Sequence, residues 1–399
     1  MDPTAEGVVQ TEHALWTISS RPVKRLDERA TLAMLERVAS PPTVPYHEWR
    51  ALDAIAAELR SLDLPVTSDR YGQLFTNLAQ GSAKRSLVFV AHTDHPGFEI
   101  VEAKGSRGLA RFRGGIDPSY FRADIPLVVH RDGRPDGHAA RGVNYVADPV
   151  LPDWSAGYCE IQGERDLQVR DWAVLDMPAF ERRGPELHLR SADDLAGCAL
   201  IIAMLAALGD ETRDFDVHAV FTRAEESGLF GARIVAEDGS IPKDAYVVSV
   251  EASNSRYAPA GAGIVVRAGD YHNTFSNEAE RYLRVAQERI AERGILAQRC
   301  LLPGGTCEAS AFVRLGWVAT GLALPNTGYH NAGPDGRLVP EMIRIDDVVS
   351  GIALSVEAAI AAGEDAAESW WPDVRAVPAD IRERLGRPAT DRSKDRSAS

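Results

Sequence analysis

Residues 216–232 read DVHAVFTRAEESGLFGA, and the order of residue types in this stretch decides the fold. DVHAVFTR is a short run of strand formers. The turn after it carries two adjacent carboxylates, Glu225 and Glu226, and a helical pattern follows from Leu229 to Ala236. Outward in both directions the same grammar returns. LVFVA (87–91) runs into His92, AYVVSVE (245–251) ends at Glu251, and GLALPNTGY (321–329) is followed by His330. Between these runs lie amphipathic or apolar helical patterns: from Leu26 through Val38, Leu52 to Leu62, Leu195 to Leu208, Asn277 to Arg293 and Ile345 to Ala362. Strands alternating with helices imply a mainly parallel sheet flanked by helices, an α/β fold.

The stretch from Gly97 to Leu189 breaks the grammar. It is rich in glycine, proline and arginine, shows short alternating runs and has no helical period, so it reads as an inserted β-rich domain. The expected organisation is a catalytic domain in two parts, residues 1–97 and 190–371, interrupted by the insertion at 98–189. The segment before Val23 and the charged tail 372–399 are expected to be disordered.

Composition narrows the function. Hydrophobic residues make up 45% and charged residues 26% of the 399, ordinary for a globular chain, and no apolar run is long enough to cross a bilayer. A net charge of -14 argues against nucleic acid or an anionic membrane as partner. The four cysteines are scattered without a Cys-x-x-Cys pair, and the N-terminus lacks a secretory pattern, so a cytoplasmic protein is expected.

In an open α/β sheet, ligands bind at the carboxyl ends of the strands. His92, Glu225, Glu226, Glu251 and His330, with Asp193 and Asp194 ahead of the Leu195 helix, therefore converge on one crevice. Each has a bland reading: a histidine after a strand is commonly structural, an Asp-Asp pair before a helix is commonly a cap, and a Glu-Glu pair is commonly a solvated face. Together they do not fit those readings, because so many carboxylates in one crevice repel unless a cation neutralises them. Two histidines with carboxylates and no thiolate suit zinc, cobalt or manganese. Their number fits two ions bridged by one carboxylate. Such a pair can activate a water and polarise a carbonyl.

These segments resemble the co-catalytic zinc exopeptidases, and among them the tetrahedral or glutamyl aminopeptidases. AHTDHPGF resembles that family's first metal segment, with His92 as ligand and Asp94 as the carboxylate that orients its imidazole. SADDLAGC resembles the segment whose first aspartate, here Asp193, bridges the metals. RAEESGLFGA implies Glu225 as general base and Glu226 as ligand, VVSVEAS implies Glu251 as ligand, and GGTCEAS with NTGYHNAG implies His330 as the last. FRGGIDPSYF resembles part of the family's β-barrel dimerisation domain, so the insertion is expected to be a small barrel. The implied enzyme cuts short peptides through a water activated between two divalent ions, and assembles as a homo-oligomer, a dimer or a dodecamer.

The chain departs from the family pattern at Leu195, His95, Cys307 and Glu251. The last leaves open a carboxypeptidase or N-acyl amino acid deacylase with the same metal site. An inactive scaffold is the reading from another class, and the presence of every ligand and of the base speaks against it. Arg256, Tyr257, Tyr271, His272, Thr306, Asn326 and Tyr329 lie near the ligand segments as candidates for the substrate pocket.

Overall fold

The computed structural model describes residues 27–148, 157–366 and 377–386. The segment before Val23 and most of the tail after 372 therefore lie outside the described residues. The chain divides into two units, Met1–Ala366 and Ala367–Ser399. In the second, the described residues include a short helix, Ala379–Gly386, inside the tail expected to be disordered.

The main unit is built on an eight-stranded sheet. Its strands are β1 (Thr67–Ser68), β2 (Leu74–Gln80), β3 (Leu87–His92), β12 (Phe215–Thr222), β13 (Tyr246–Asn254), β14 (Ile264–Gly269), β15 (Ala297–Leu301) and β16 (Ala319–Asn326), in the order β1-β2-β12-β3-β13-β16-β14-β15. The central four, β12-β3-β13-β16, are parallel, and β2 and β14 join them antiparallel. The central strands are buried on both faces, which is why they read as continuous apolar runs.

Helices α1 (Glu28–Ala39), α2 (Trp49–Ser61), α3 (Ala192–Leu208), α4 (Phe230–Asp238), α5 (Asn277–Ala291), α6 (Glu308–Arg314) and α7 (Ile345–Glu364) cover the two faces. α3 is apolar all round because it is buried all round, packed in one core with residues of α1, α7 and the sheet. α7 comes close to α3 at Gly351, where an added Cβ would sit 2.5 Å from Leu200 Cδ1.

The insertion is a closed six-stranded barrel. β4 (Gly97–Lys104), β5 (Arg107–Arg113), β6 (Ile125–His130), β7 (His138–Ala147), β8 (Gly157–Gly163) and β9 (Trp172–Leu175) run β4-β5-β8-β7-β6-β9 around its wall. Phe98, Phe112 and Phe121 pack tilted and edge-to-face inside it at centroid distances of 5.0 to 5.7 Å. The barrel is closed before the sequence boundary at Leu189. β10 (Phe180–Arg183) and β11 (Glu186–Leu189) pair instead with β17 (Glu341–Arg344) in a separate three-stranded sheet.

Candidate metal centre

The carboxyl ends of β3, β12, β13 and β16 bring the predicted residues into one crevice. His92 is the last residue of β3. Glu225 and Glu226 follow β12, Glu251 lies in β13, Asp193 opens α3 and His330 follows β16. All are buried or nearly so: His92 and Asp193 are 1% exposed and Glu251 is 5% exposed.

The distances sort these side chains into two half-sites that share Asp193. Its Oδ1 is 3.3 Å from His92 Nε2, and its Oδ2 is 3.2 Å from His330 Nε2. On the His92 side, Glu251 Oε2 lies 3.8 Å and Glu225 Oε2 4.0 Å from the same nitrogen. On the His330 side, Glu226 Oε1 lies 3.1 Å from His330 Nε2. Nitrogen and oxygen ligands about 2.1 Å from a tetrahedral zinc stand roughly 3.4 Å apart, so this spacing fits a metal shell. Asp193 Oδ1 and Glu226 Oε1 are buried and accept no hydrogen bond, as expected of atoms reserved for a cation. His92, Asp193 and Glu226 present atoms within 4.8 Å of one another, and so do His92, Glu225 and Glu251.

Each imidazole is held with its outer nitrogen free. His92 Nδ1 donates to the carbonyl oxygen of Asp94 (3.1 Å) and His330 Nδ1 to that of Gly115 (2.5 Å), so that both Nε2 atoms point toward Asp193. The Asp94 carboxylate lies 3.7 Å from His92 Nδ1, beyond hydrogen-bond length. It accepts instead from the backbone N–H groups of Glu225 (2.9 Å) and Glu226 (3.0 Å). Asp94 thus reaches the imidazole through its backbone and the base through its side chain.

Several further residues complete the centre. Glu341 pins both ends of the shared half: Oε1 accepts from the backbone of His330 (2.7 Å) and from Asn326 Nδ2 (2.9 Å), and Oε2 from the backbone of Asp193 (2.9 Å). His95 Nδ1 donates to the Asp193 carbonyl (2.5 Å), and its Nε2 faces Asn331 Oδ1 (2.9 Å). Burial pulls the His95 pKa down to about 4. An Ala in place of Gly197 would put its Cβ 2.2 Å from Asp194 Oδ1, so the first turn of α3 has room for that carboxylate only with glycine.

Electrostatics follow from crowding. Burial, with the charges of Glu251, Glu226 and Asp94, pushes the Glu225 carboxyl well above its ordinary range in the metal-free protein. Burial likewise pushes Asp194 up, helped by Glu251, Asp193 and Glu308. Burial alone would depress His92 and His330, but the surrounding carboxylates overcome it and raise both well above normal.

Beside the His92 half lies a narrow cleft lined by Glu251, Ser253, Asn254, Tyr257, Arg267, Leu302, Gly304, Gly305, Thr306 and Tyr329. Tyr257, Thr306 and Tyr329 were pocket candidates in the sequence. Asn326 is buried with its amide on Glu341 and is not among the lining residues, while Arg256, Tyr271 and His272 are exposed. Arg267 was not anticipated. It is 2% exposed, donates to Ser253 Oγ (3.2 Å), leaves Nε without a partner, and has no carboxylate within ion-pair distance among the described residues.

A crevice of this composition at the strand ends of a sheet covered by helices has the donor set of a metal site. The model of the M42 glutamyl aminopeptidase family matches residues 154–348, just under half of the chain, and that span holds Asp193, Glu225, Glu226, Glu251 and His330. Solved structures share the fold over most of the chain. The TET1 peptidase of Pyrococcus horikoshii, which can assemble into a tetrahedron or a large octahedral shell, is 21% identical. It covers 82% of this chain and 99% of its own, with a TM-score of 0.66. An aminopeptidase from Desulfurococcus kamchatkensis is 19% identical, covering 88% and 98%, with a TM-score of 0.66. A Thermotoga maritima protein described as an endoglucanase is 18% identical, covering 83% and 97%, with a TM-score of 0.57. The chain is thus similar to the M42 glutamyl aminopeptidases over the matched span, and it shares the fold of the TET peptidases over most of its length.

Proposed function

We propose that the chain is a two-metal aminopeptidase whose centre is organised by Asp193. The observation that carries this reading is the splitting of the Asp193 carboxylate, one oxygen toward His92 and the other toward His330. His92, Glu251 and Asp193 would hold one divalent ion, and His330, Glu226 and Asp193 the other. Zinc is the ion we favour, with cobalt or manganese compatible with the same donors. When bound, the pair supplies a water of lowered pKa and a Lewis acid for the scissile carbonyl.

The chain's own contribution is proton handling and orientation. Glu225 lies beside the His92 half-site without being needed as a ligand. It takes a proton from the attacking water and returns it to the leaving amine. Asp94 fixes its backbone, and Glu341 fixes both residues of the shared half. Glu225→Gln should retain its metals and lose turnover by at least about 100-fold. Near wild-type turnover of that variant would remove Glu225 from the role of base.

Arg267 supports a preference for substrates that carry a carboxylate next to the scissile bond. A buried guanidinium with a free donor at the edge of the metal site calls for an anion. An acidic N-terminal residue supplies it in the aminopeptidase reading. An α-carboxylate would supply it in the second reading, an N-acyl amino acid deacylase or carboxypeptidase, which Glu251 also favours. Cleavage of glutamyl anilide but not of N-acyl glutamate selects the first, and the reverse selects the second. The barrel is the surface we propose for self-association into a dimer or a larger shell. Four free thiols fit the cytoplasm.

A further inference from the structure

Behind the turn that carries Glu225, a carboxylate from a distant part of the chain is committed to backbone groups of that turn. Glu48 stands at the N-cap of α2, where an acidic side chain ordinarily accepts from its own helix, yet it makes no capping hydrogen bond there. Its Oε1 accepts instead from the N–H of Ala224 (3.1 Å), 176 positions away, and from that of Tyr46 (2.8 Å). Its Oε2 accepts from Arg223 Nε (2.8 Å). The side chain is 0% exposed, and none of these hydrogen bonds goes to a proposed metal ligand.

Ala224 gives this arrangement its meaning. Its φ is +54°, in the left-handed region where a Cβ crowds the following carbonyl. A side chain there persists only where its surroundings over-determine it. Two buried carboxylates do so: Glu48 takes the N–H of Ala224, and Asp94 takes those of Glu225 and Glu226. Three consecutive donors are thus gripped from two sides. Arg223 locks the Glu48 end, with its guanidinium 4.0 Å over the Trp49 ring.

We propose that Glu48 is a positioning residue that holds Ala224 in the left-handed conformation, so that Glu225 leaves the end of β12 aimed at the metal pair. The inference rests on the reading of Glu225 as the base. Asp94 also touches His92, so its loss would disturb a ligand. Glu48 holds Tyr46, Arg223 and Ala224 but no proposed ligand, and its removal should therefore affect turnover without affecting metal binding.

The test uses the full-length chain reconstituted with zinc. Glu48→Gln should lower kcat about 10- to 100-fold, with KM and metal content within about twofold of wild type. Glu48→Asp keeps the charge for Arg223 but draws back from Ala224. It should behave the same way, and it carries the test if the glutamine variant does not fold. Combined with Glu225→Asp, which already misplaces the base, Glu48→Gln should cost less than about threefold more, because both act through one group. Equal losses in both backgrounds, or loss of metal with kcat intact, would overturn the proposal. If Glu225→Gln kept its turnover, the base reading would fall first. If that variant is inactive while Glu48→Gln is normal, only the present inference fails.

Discussion

Replacing Arg267 with methionine removes the charge from the cleft beside Glu251 while keeping most of the side-chain volume. Arg267 lines the cleft and is 2% exposed, and among the described residues Ser253 Oγ is its one hydrogen-bond partner, so its guanidinium is already desolvated. A charge-assisted hydrogen bond contributes about 1.5–3 kcal/mol. Two of them to a substrate carboxylate, less what it costs to strip water from that carboxylate, leave roughly 3 kcal/mol. That corresponds to about 100-fold in kcat/KM. The assay compares glutamyl anilide with its isostere glutaminyl anilide. Wild type should favour the glutamyl substrate by about 100-fold, and Arg267→Met should bring the ratio near one, chiefly by loss on the glutamyl side. A wild-type ratio below about three, or an unchanged ratio in the variant, would refute the reasoning, because an unpaired guanidinium at the reaction site cannot be indifferent to a carboxylate that reaches it.

Two further expectations follow from groups already described. Without metal, Glu225, Asp194, Glu226, His92 and His330 all have raised pKa values, so binding metal ions should release protons. The stability these groups contribute is present at low pH. It is lost as pH rises from about 4 for the carboxyls and about 6.5 for the imidazoles through their folded values. Asp193 is shifted the other way, and its contribution is already complete above the ordinary carboxylate range. The melting-temperature gap between zinc-loaded and metal-free protein should therefore widen from pH 5 to pH 8, and calorimetry in two buffers should register proton release. A gap that narrows with pH contradicts this. Gly351→Ala gains helix propensity but places a methyl 2.5 Å from Leu200 Cδ1 and 3.1 Å from Ile264 Cδ1, both fully buried. A net loss of about 1–2 kcal/mol is expected from the denaturant midpoint, and a gain would mean that the α3–α7 contact is looser than it looks.

The centre was legible where chemistry follows a strand directly. His92, Glu225, Glu226, Glu251 and His330 announce themselves because an apolar run stops at a polar residue, and the strand-end rule gathers them without knowledge of distances. Glu341, Glu48 and Arg267 gave no such signal. Glu341 sits in a four-residue strand with no apolar run ahead of it, and its worth lies in hydrogen bonds to residues 11 and 148 positions away. Glu48 looked like an ordinary residue ahead of a helix, because local sequence cannot show that its carboxylate leaves that helix. Arg267 interrupts the apolar strand β14, and only the closed fold reveals that it is buried with no carboxylate within ion-pair distance among the described residues. His95 was visible as a departure, but the carbonyl it supports became apparent only with the chain folded.

The carbonyl of Gly115 fixes which nitrogen of His330 carries the proton, and Gly115 belongs to the inserted barrel rather than to the domain that supplies the ligands. Tyr120, a few residues on, donates to the carbonyl of Gly333 just beyond the same histidine (2.9 Å). The insertion is therefore not a detachable module. A minimal enzyme made by excising the barrel and rejoining the ends would keep every ligand in its sequence and still lose the acceptor that settles one imidazole's tautomer. Any graft of a foreign barrel would have to carry the 114–121 loop with it.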